Sequence, residues 1–214
     1  MGGLEDFVSD TRCHIQEGMK AYSTIGKPLL DWLGALILLV LLGWTLLVIA
    51  LVFVSSGNRP IFFFAERMGR DARVFRMIKF RTLHTDASQP VALRRWWWGD
   101  FLRFTSLDEL PQIWNVLKGD MSLIGPRPLP YEYGQLMDAT QHIRHTVKPG
   151  ITGWAQVNGR HGLSWAEKFA LDRYYVENLS FRLDWKILVK TIKLLLNPKP
   201  DRSLDEKPFT GNHA

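Results

Sequence analysis

The chain has 214 residues, 46% hydrophobic and 22% charged, with a formal charge of +6; one modest domain plus an accessory segment is expected rather than a multidomain enzyme. From Trp32 to Val54 it runs 23 positions without a charge, long enough to cross the roughly 30 Å hydrocarbon core of a bilayer, which argues against a purely soluble protein. A single cysteine, Cys13, excludes an intramolecular disulfide and fits a reducing compartment. No nucleic-acid module, zinc-ligand set or Gly-Lys-Ser/Thr phosphate loop accompanies the basic excess, which suits anionic lipid or a phosphorylated substrate and no nucleic acid.

Residues 1 to 26 are polar and of mixed charge, and no small-residue cleavage site follows the apolar run, so they read as a cytoplasmic or interfacial lead-in rather than a secretory signal. Pro28 then opens an apolar helix over 27–55, at a first turn where its missing N–H costs nothing. That helix either spans the bilayer or enters and returns on the same face. A bend needs a weak point in the hydrogen-bond ladder, and the run offers only Gly34 and Gly43. Residues 55 to 214 hold 24 Lys/Arg against 16 Asp/Glu, whereas residues 1 to 28 hold three against four. The positive-inside tendency therefore places the large segment on the cytoplasmic side.

After a turn at Ser55-Ser56-Gly57-Asn58, Ile61 to Phe64 read as a short strand or interfacial segment. Arg67, Arg70, Arg73, Arg76, Lys79 and Arg81 alternate with Phe75, Met77, Ile78 and Phe80. They form either the solvated face of a hairpin or a basic wall toward headgroups or a pyrophosphate. Arg94-Arg95-Trp96-Trp97-Trp98 reads as a membrane-contact edge, with a buried aromatic cluster as the alternative. Lys186, Lys190 and Lys193, spaced against Trp185, Leu188, Val189, Ile192 and Leu196, predict an amphipathic helix for the interface or for the domain core. Residues 197 to 214, with three prolines and mixed charge, read as a loose tail.

The stretch from Arg103 to Pro128 is the most informative. Ser106-Leu107-Asp108-Glu109 fits a capping box, with Ser106 as the N-cap and the two acids in a first helical turn. The same arrangement suits chemistry: helix-end N–H donors hold a phosphoryl group while adjacent carboxylates supply a nucleophile and a metal ligand. Gly125-Pro126-Arg127-Pro128 follows a short apolar strand and fixes a guanidinium for bidentate phosphate binding. In the loop 148–160, Trp154, Gln156, Asn158 and Arg160 form either a surface for a base, sugar or phosphate, or a tight hairpin around a buried Trp.

KFRT at 79–82, SLDELPQ at 106–112, NVLKGDMSLIGPRP at 115–128, PGITGWAQVNGR at 149–160 and the LDxYYVxN pattern at 171–178 together resemble the bacterial sugar transferases, the small monotopic phosphoglycosyl transferases that act on polyprenol phosphate. The resemblance covers roughly residues 27 to 195. It implies an α+β protein with an N-terminal membrane-inserted, re-entrant helix and a small, mostly helical cytoplasmic catalytic domain carrying interfacial amphipathic helices. The ranges are then lead-in 1–26, membrane helix 27–55, catalytic domain 56–196 and tail 197–214. One departure concerns the midpoint of the membrane helix, where the family carries a Ser-Pro pair credited with the bend and this chain has Gly43-Trp44.

The activity implied is transfer of a sugar phosphate from a UDP-sugar to undecaprenyl phosphate at the cytoplasmic face of the inner membrane, releasing UMP and feeding downstream glycosyltransferases. By that matching Asp108 is the covalent nucleophile beside Mg²⁺, with Glu109 as its acidic partner. Lys79, Arg103, Arg127, Arg160 and Asp172 line the substrate site. The Trp-rich edge is expected to meet membrane lipid or a second copy of the chain in a homodimer.

Overall fold

A computed structural model describes residues 21–56, 60–86, 88–159, 162–197 and 208–211. The lead-in before residue 21, Arg160 and residues 198–207 of the tail lie outside the described residues. A π-helical turn, Tyr22–Gly26, runs directly into helix α1, Lys27–Ser55, with Pro28 in its first turn as expected. Helical order thus starts ahead of the expected residue 27. The helix is unbroken through Gly43, around which nothing lies within 4 Å of an added Cβ.

Strands β1, Phe62–Met68, and β2, Val74–Phe80, form an antiparallel hairpin in which Phe62 faces Phe80 and Met68 faces Val74. Helix α2, Trp97–Phe104, is followed by a 3₁₀ turn, Leu107–Glu109, and helix α3, Gln112–Lys118. Strand β3, Ser122–Ile124, pairs in parallel with β4, Gly150–Thr152, with the short helix α4, Ala139–His142, between them in sequence. The loop after β4 is therefore not a hairpin: it turns into helix α5, Trp154–Asn158. Gly125 and Gly150 are required at this crossing, since a Cβ on either would collide with the backbone of the other segment. Helices α6, Trp165–Glu177, and α7, Phe181–Leu196, close the domain; α6 starts at a Ser164/Glu167 capping box. The whole is an α+β domain attached to a long apolar helix.

α1 is long and apolar enough to cross a membrane, and little of it is buried. One face carries exposed Leu33, Ile37, Val40, Trp44, Leu47 and Leu51, an apolar surface suited to lipid. The opposite face packs at both ends on the same domain. Near the start, Ala35 joins Met77, Ile113, Val116 and Met121 in one core. Near the end, Ile49 and Phe53 join Phe80 and Leu102 in another, with Phe53 stacked on Phe80 at 5.9 Å and edge-on to Trp96 at 5.5 Å.

A buried polar knot ties the first turns of α1 to the domain. Lys27 Nζ and Tyr22 Oη donate to Asp184 Oδ2 at 2.8 and 2.6 Å, and Tyr175 Oη lies 2.8 Å from Asp184 Oδ1. One turn on, Asp31 accepts from Ser122 Oγ at 2.6 Å and from the Leu123 N–H at 3.1 Å. Buried polar groups need such partners, and removing the shared acceptor leaves several groups unsatisfied. Asp184→Ala is expected to destabilise by ~3 kcal/mol and lower the melting midpoint by ~6–12 °C in detergent. Lys27→Met/Asp184→Leu should recover part of that loss; equal melting of Asp184→Ala and wild type would contradict the role assigned to the knot.

Candidate active site

Three segments converge on Glu109. β2 brings Lys79, the 3₁₀ turn brings Asp108 and Glu109, and the segment after β3 brings Arg127. Lys79 Nζ donates to Glu109 Oε1 at 2.6 Å and lies 3.9 Å from Asp108 Oδ2. Arg127 Nη2 approaches the same Glu109 Oε1 at 3.3 Å. Burial by itself raises the Glu109 carboxyl, but the Lys79 ammonium and Arg127 guanidinium outweigh it and bring its pKa down to about 2. The dyad therefore presents an ionised Glu109 across the physiological range. Exposure separates the two cations: the Lys79 side chain is 17% exposed and the Arg127 side chain 39%. Lys79 is the more enclosed partner of Glu109 and Arg127 the more exposed one.

Local backbone chemistry builds this arrangement differently from the expected capping box. Ser106 is left-handed, with φ 59° and ψ 17°, and its side chain makes no cap bond. Its N–H instead bonds the Arg103 carbonyl at 3.0 Å, so Ser106 ends α2 in the manner of a left-handed C-terminal residue. A capping box needs an extended N-cap residue, which Ser106 is not. The acids then sit in a three-residue 3₁₀ turn, and α3 begins after Pro111, which offers no N–H. The expected bank of helix-end N–H donors is therefore not formed at the dyad; side-chain cations surround it instead. The left-handed Ser106 is a non-glycine in a sparsely populated region immediately before the dyad, the kind of strain that marks functional turns.

Asn115, buried in α3, sets the distance from β2 to the dyad. Its Oδ1 accepts from the Ile78 N–H at 3.0 Å and its Nδ2 donates to the Arg76 carbonyl at 2.8 Å, so one side-chain amide pairs with the strand edge next to Lys79. Asn115 stands within the NVLKGDMSLIGPRP motif with no role assigned to it from sequence; the signal for one is a lone amide among Ile113, Trp114 and Val116. Arg103, in the last turn of α2, donates from Nε to Thr82 Oγ1 at 2.8 Å, which fixes the arginine to the end of the KFRT segment.

The Pro126-Arg127-Pro128 turn is anchored on three sides. Gly150 N–H donates to the Pro126 carbonyl at 3.0 Å and Met68 N–H to the Leu129 carbonyl at 3.1 Å, and Arg144 Nη2 donates to the Arg127 carbonyl. Arg144 is buried and also pairs with Asp172 Oδ2 at 3.0 Å. Asp172, expected to line the substrate site, is 4% exposed and lies behind Arg127 rather than beside Glu109. Burial lifts its pKa to about 6 against the opposing attraction of Arg144 and Lys168. Sequence reading missed Arg144. A carboxylate in step with Phe169 and Tyr175 on the inward face of α6 was the signal that a buried cation had to meet it.

The amides of the 148–160 loop are turned inward. Gln156 Nε2 donates to the Ile151 carbonyl at 3.1 Å, and Asn158 bonds the Trp154 carbonyl at 2.7 Å and Lys190 Nζ at 2.6 Å. These side chains brace the domain internally, with Lys186 and Lys190 over the Trp154 ring, while Arg160 lies outside the described residues. At the domain edge, Trp97, Phe101 and Phe104 of α2 are exposed at helical spacing, and Trp96 and Trp98 are half-buried. The tryptophan cluster thus divides between an exposed edge and the core under Phe53. On α7, Phe181, Trp185, Leu188, Ile192 and Leu195 form a second exposed apolar stripe.

Among the described residues no group of three or more His, Cys, Asp or Glu side chains gathers as metal ligands. Two adjacent carboxylates still fit Mg²⁺, which commonly takes one or two protein carboxylates and completes its shell with water and substrate phosphate.

Residues 22–198 match the family model described as bacterial sugar transferase. The chain is 46% identical over 176 residues to an uncharacterized sugar transferase, EpsL, of Bacillus subtilis, covering 79% of this chain and 87% of that protein. It is 35% identical to the exopolysaccharide production protein ExoY of Sinorhizobium fredii, covering 78% and 84%. It is 39% identical to a UDP-glucose:undecaprenyl-phosphate glucose-1-phosphate transferase of Escherichia coli, covering 76% of this chain and 38% of that protein. The chain thus spans most of the two smaller relatives and about two fifths of the larger one. It belongs to the bacterial sugar transferase family.

The depressed Glu109 carboxyl has a consequence for stability. A folded-state pKa below the unfolded one stabilises above about pH 4.5, and that contribution is lost as pH falls toward 2. The gap in denaturant midpoint between wild type and Glu109→Gln is therefore expected to shrink as pH falls from 4.5 to 2. A gap that stays constant over this window would contradict the Lys79–Glu109–Arg127 assignment.

Proposed function

We propose that the protein is a phosphoglycosyl transferase that moves a sugar 1-phosphate from a UDP-sugar to undecaprenyl phosphate, giving polyprenyl-diphosphate sugar and UMP. The observation that carries this reading is the Asp108–Glu109 pair set between Lys79 and Arg127 in a domain attached to an apolar helix. Asp108 attacks the β-phosphorus of the donor, a new aspartyl O–P bond forms, the bond to the bridging oxygen breaks and UMP leaves. A phosphate oxygen of the polyprenol then attacks the same phosphorus and frees the Asp108 carboxylate. Two steps replace one difficult meeting of a soluble and a lipid substrate.

The chain's own residues divide the work. Arg127, 39% exposed beside Glu109, is the residue to meet the donor diphosphate, and Arg103, bonded to Thr82 at the end of the KFRT segment, is the residue to balance charge on the transferring phosphoryl group. Lys79 keeps Glu109 ionised and close to Asp108. Asp108 and Glu109 are the residues that would hold Mg²⁺, which supplies charge neutralisation of the diphosphate and of the departing nucleotide. The polyprenyl-diphosphate sugar is a substrate for glycosyltransferases that extend it.

The enzyme works at the inner membrane with its domain on the cytoplasmic face, as the basic excess after residue 55 supports. A location of both ends of α1 on one side of the membrane is supported by packing alone, since Lys27, Asp31, Ile49 and Phe53 are all buried against one domain while the helix itself runs without a bend through Gly43. The exposed aromatic edge of α2 and the stripe on α7 meet lipid, with a second copy of the chain as the rival occupant.

Two measurements test this. Purified protein with Mg²⁺ and a panel of UDP-sugars is expected to release UMP only when undecaprenyl phosphate is present beyond a single turnover, and Asp108→Asn to lose at least ~10³-fold of the rate. Sustained release without lipid would instead indicate a diphosphatase, and a mutant of near-wild-type rate would remove Asp108 from the mechanism. For topology, Ala21→Cys and Ser88→Cys, each in a Cys13→Ser background, should both react with an impermeant maleimide in inverted vesicles. Labelling of residue 21 only in right-side-out vesicles would show a spanning helix.

A further inference from the structure

The tail residues 208–211 do not behave as the loose end expected from composition. Phe209 is 4% exposed and sits in a cage of aromatic rings, with centroids 5.2 Å from Phe169, 5.5 Å from Trp165 and 5.8 Å from Tyr133. Leu129 and Met137 complete the cluster. Two of these neighbours lead to the active site. Leu129 lies two residues beyond Arg127, in the anchored Pro-Arg-Pro segment. Phe169 carries the Arg144 guanidinium over its ring at 5.6 Å, and Arg144 donates to the Arg127 carbonyl while paired with Asp172.

We propose that the C-terminal segment is a positioning element for Arg127: Phe209, seated among Tyr133, Trp165 and Phe169, fixes Phe169 and Leu129, and these hold Arg144 against the Arg127 carbonyl. The guanidinium that meets Glu109 is thereby set from a residue more than eighty positions away in sequence. An arginine fork acts at full strength only in one geometry, since bidentate contact with a phosphate needs its plane and position together. Displacing the seat by about 1 Å is enough to cost ~10²-fold in a reaction that depends on orientation. Packed rings transmit such shifts because interiors are close-packed and offer few intermediate arrangements.

The kinetic arm of the test rests on the transferase reading; the exchange arm does not. Full-length Phe209→Ala, Phe209→Leu, Arg144→Lys and the double variant Phe209→Ala/Arg144→Lys are compared in detergent. The readouts are UMP release and amide hydrogen exchange over residues 125–130. One nitrogen of Arg144, Nη2, meets both Asp172 and the Arg127 carbonyl, so Arg144→Lys keeps a charge beside Asp172 but loses the planar guanidinium and the reach that set one donor against both. Phe209→Ala is expected to lower kcat/KM for the UDP-sugar ~10-fold or more and to speed exchange over 125–130. Phe209→Leu should restore most of both, and the double variant should be no worse than Arg144→Lys alone. A folded Phe209→Ala protein with wild-type kcat/KM and wild-type exchange would overturn the proposal, as would additive losses in the double variant. If wild type releases no UMP, the transferase reading fails and exchange over 125–130 alone decides the link.

Discussion

A single carboxylate oxygen organises this molecule's site. Glu109 Oε1 receives Lys79 from one strand and Arg127 from the segment after another, so three stretches distant in sequence meet within one ion cluster. Charge explains why the cluster holds. Two cations around one partly buried carboxylate overcome its desolvation, and the neighbouring Asp108 supplies a second negative charge within 3.9 Å of Lys79. Of the two cations, Lys79 is the more buried and Arg127 the more exposed.

The apolar helix serves this cluster from below as well as serving the membrane. Phe53 stacks on Phe80, next in sequence to Lys79; Ala35 packs on the α3 residues that follow the dyad; and Asp31 holds Ser122 and Leu123 of the strand that leads to Arg127. Each of the three segments that form the site therefore rests on α1. A helix that only tethered the domain would need none of these contacts. Its exposed face remains almost wholly apolar, so the same helix that carries these contacts presents a surface suited to lipid.

Much of this was legible in the sequence, and the parts that were not share a physical reason. The 23 uncharged positions, Pro28 at a first turn, the Phe-rich hairpin and the apolar strand before Gly125 are local patterns, and the structure forms each of them. Asp108, Glu109, Lys79 and Arg127 also come together as their motifs suggest. Ser106 did not follow its local signal, because an N-cap serine and a left-handed turn serine look identical until the neighbouring helix fixes φ. The amides of Gln156 and Asn158 read as either recognition groups or part of a tight loop, and the structure bonds Asn158 to Trp154 and Lys190 and the Gln156 Nε2 to Ile151 of β4. Asp172, Arg144, Asn115 and Phe209 depend on partners 28 to 40 positions away, and no local pattern encodes such pairs. Composition in particular gives no sign that a Pro-rich, charged tail carries one aromatic ring that fits a cage elsewhere.

The assignment of Asp108 as nucleophile is tested most directly by intact-protein and peptide mass measurement after exposure to Mg²⁺ and a UDP-sugar in the absence of lipid acceptor. A mass gain of one sugar phosphate, localised to Asp108 and discharged when undecaprenyl phosphate is added, is the expected result. Full turnover with no adduct on Asp108, or with the adduct on another residue, would contradict it.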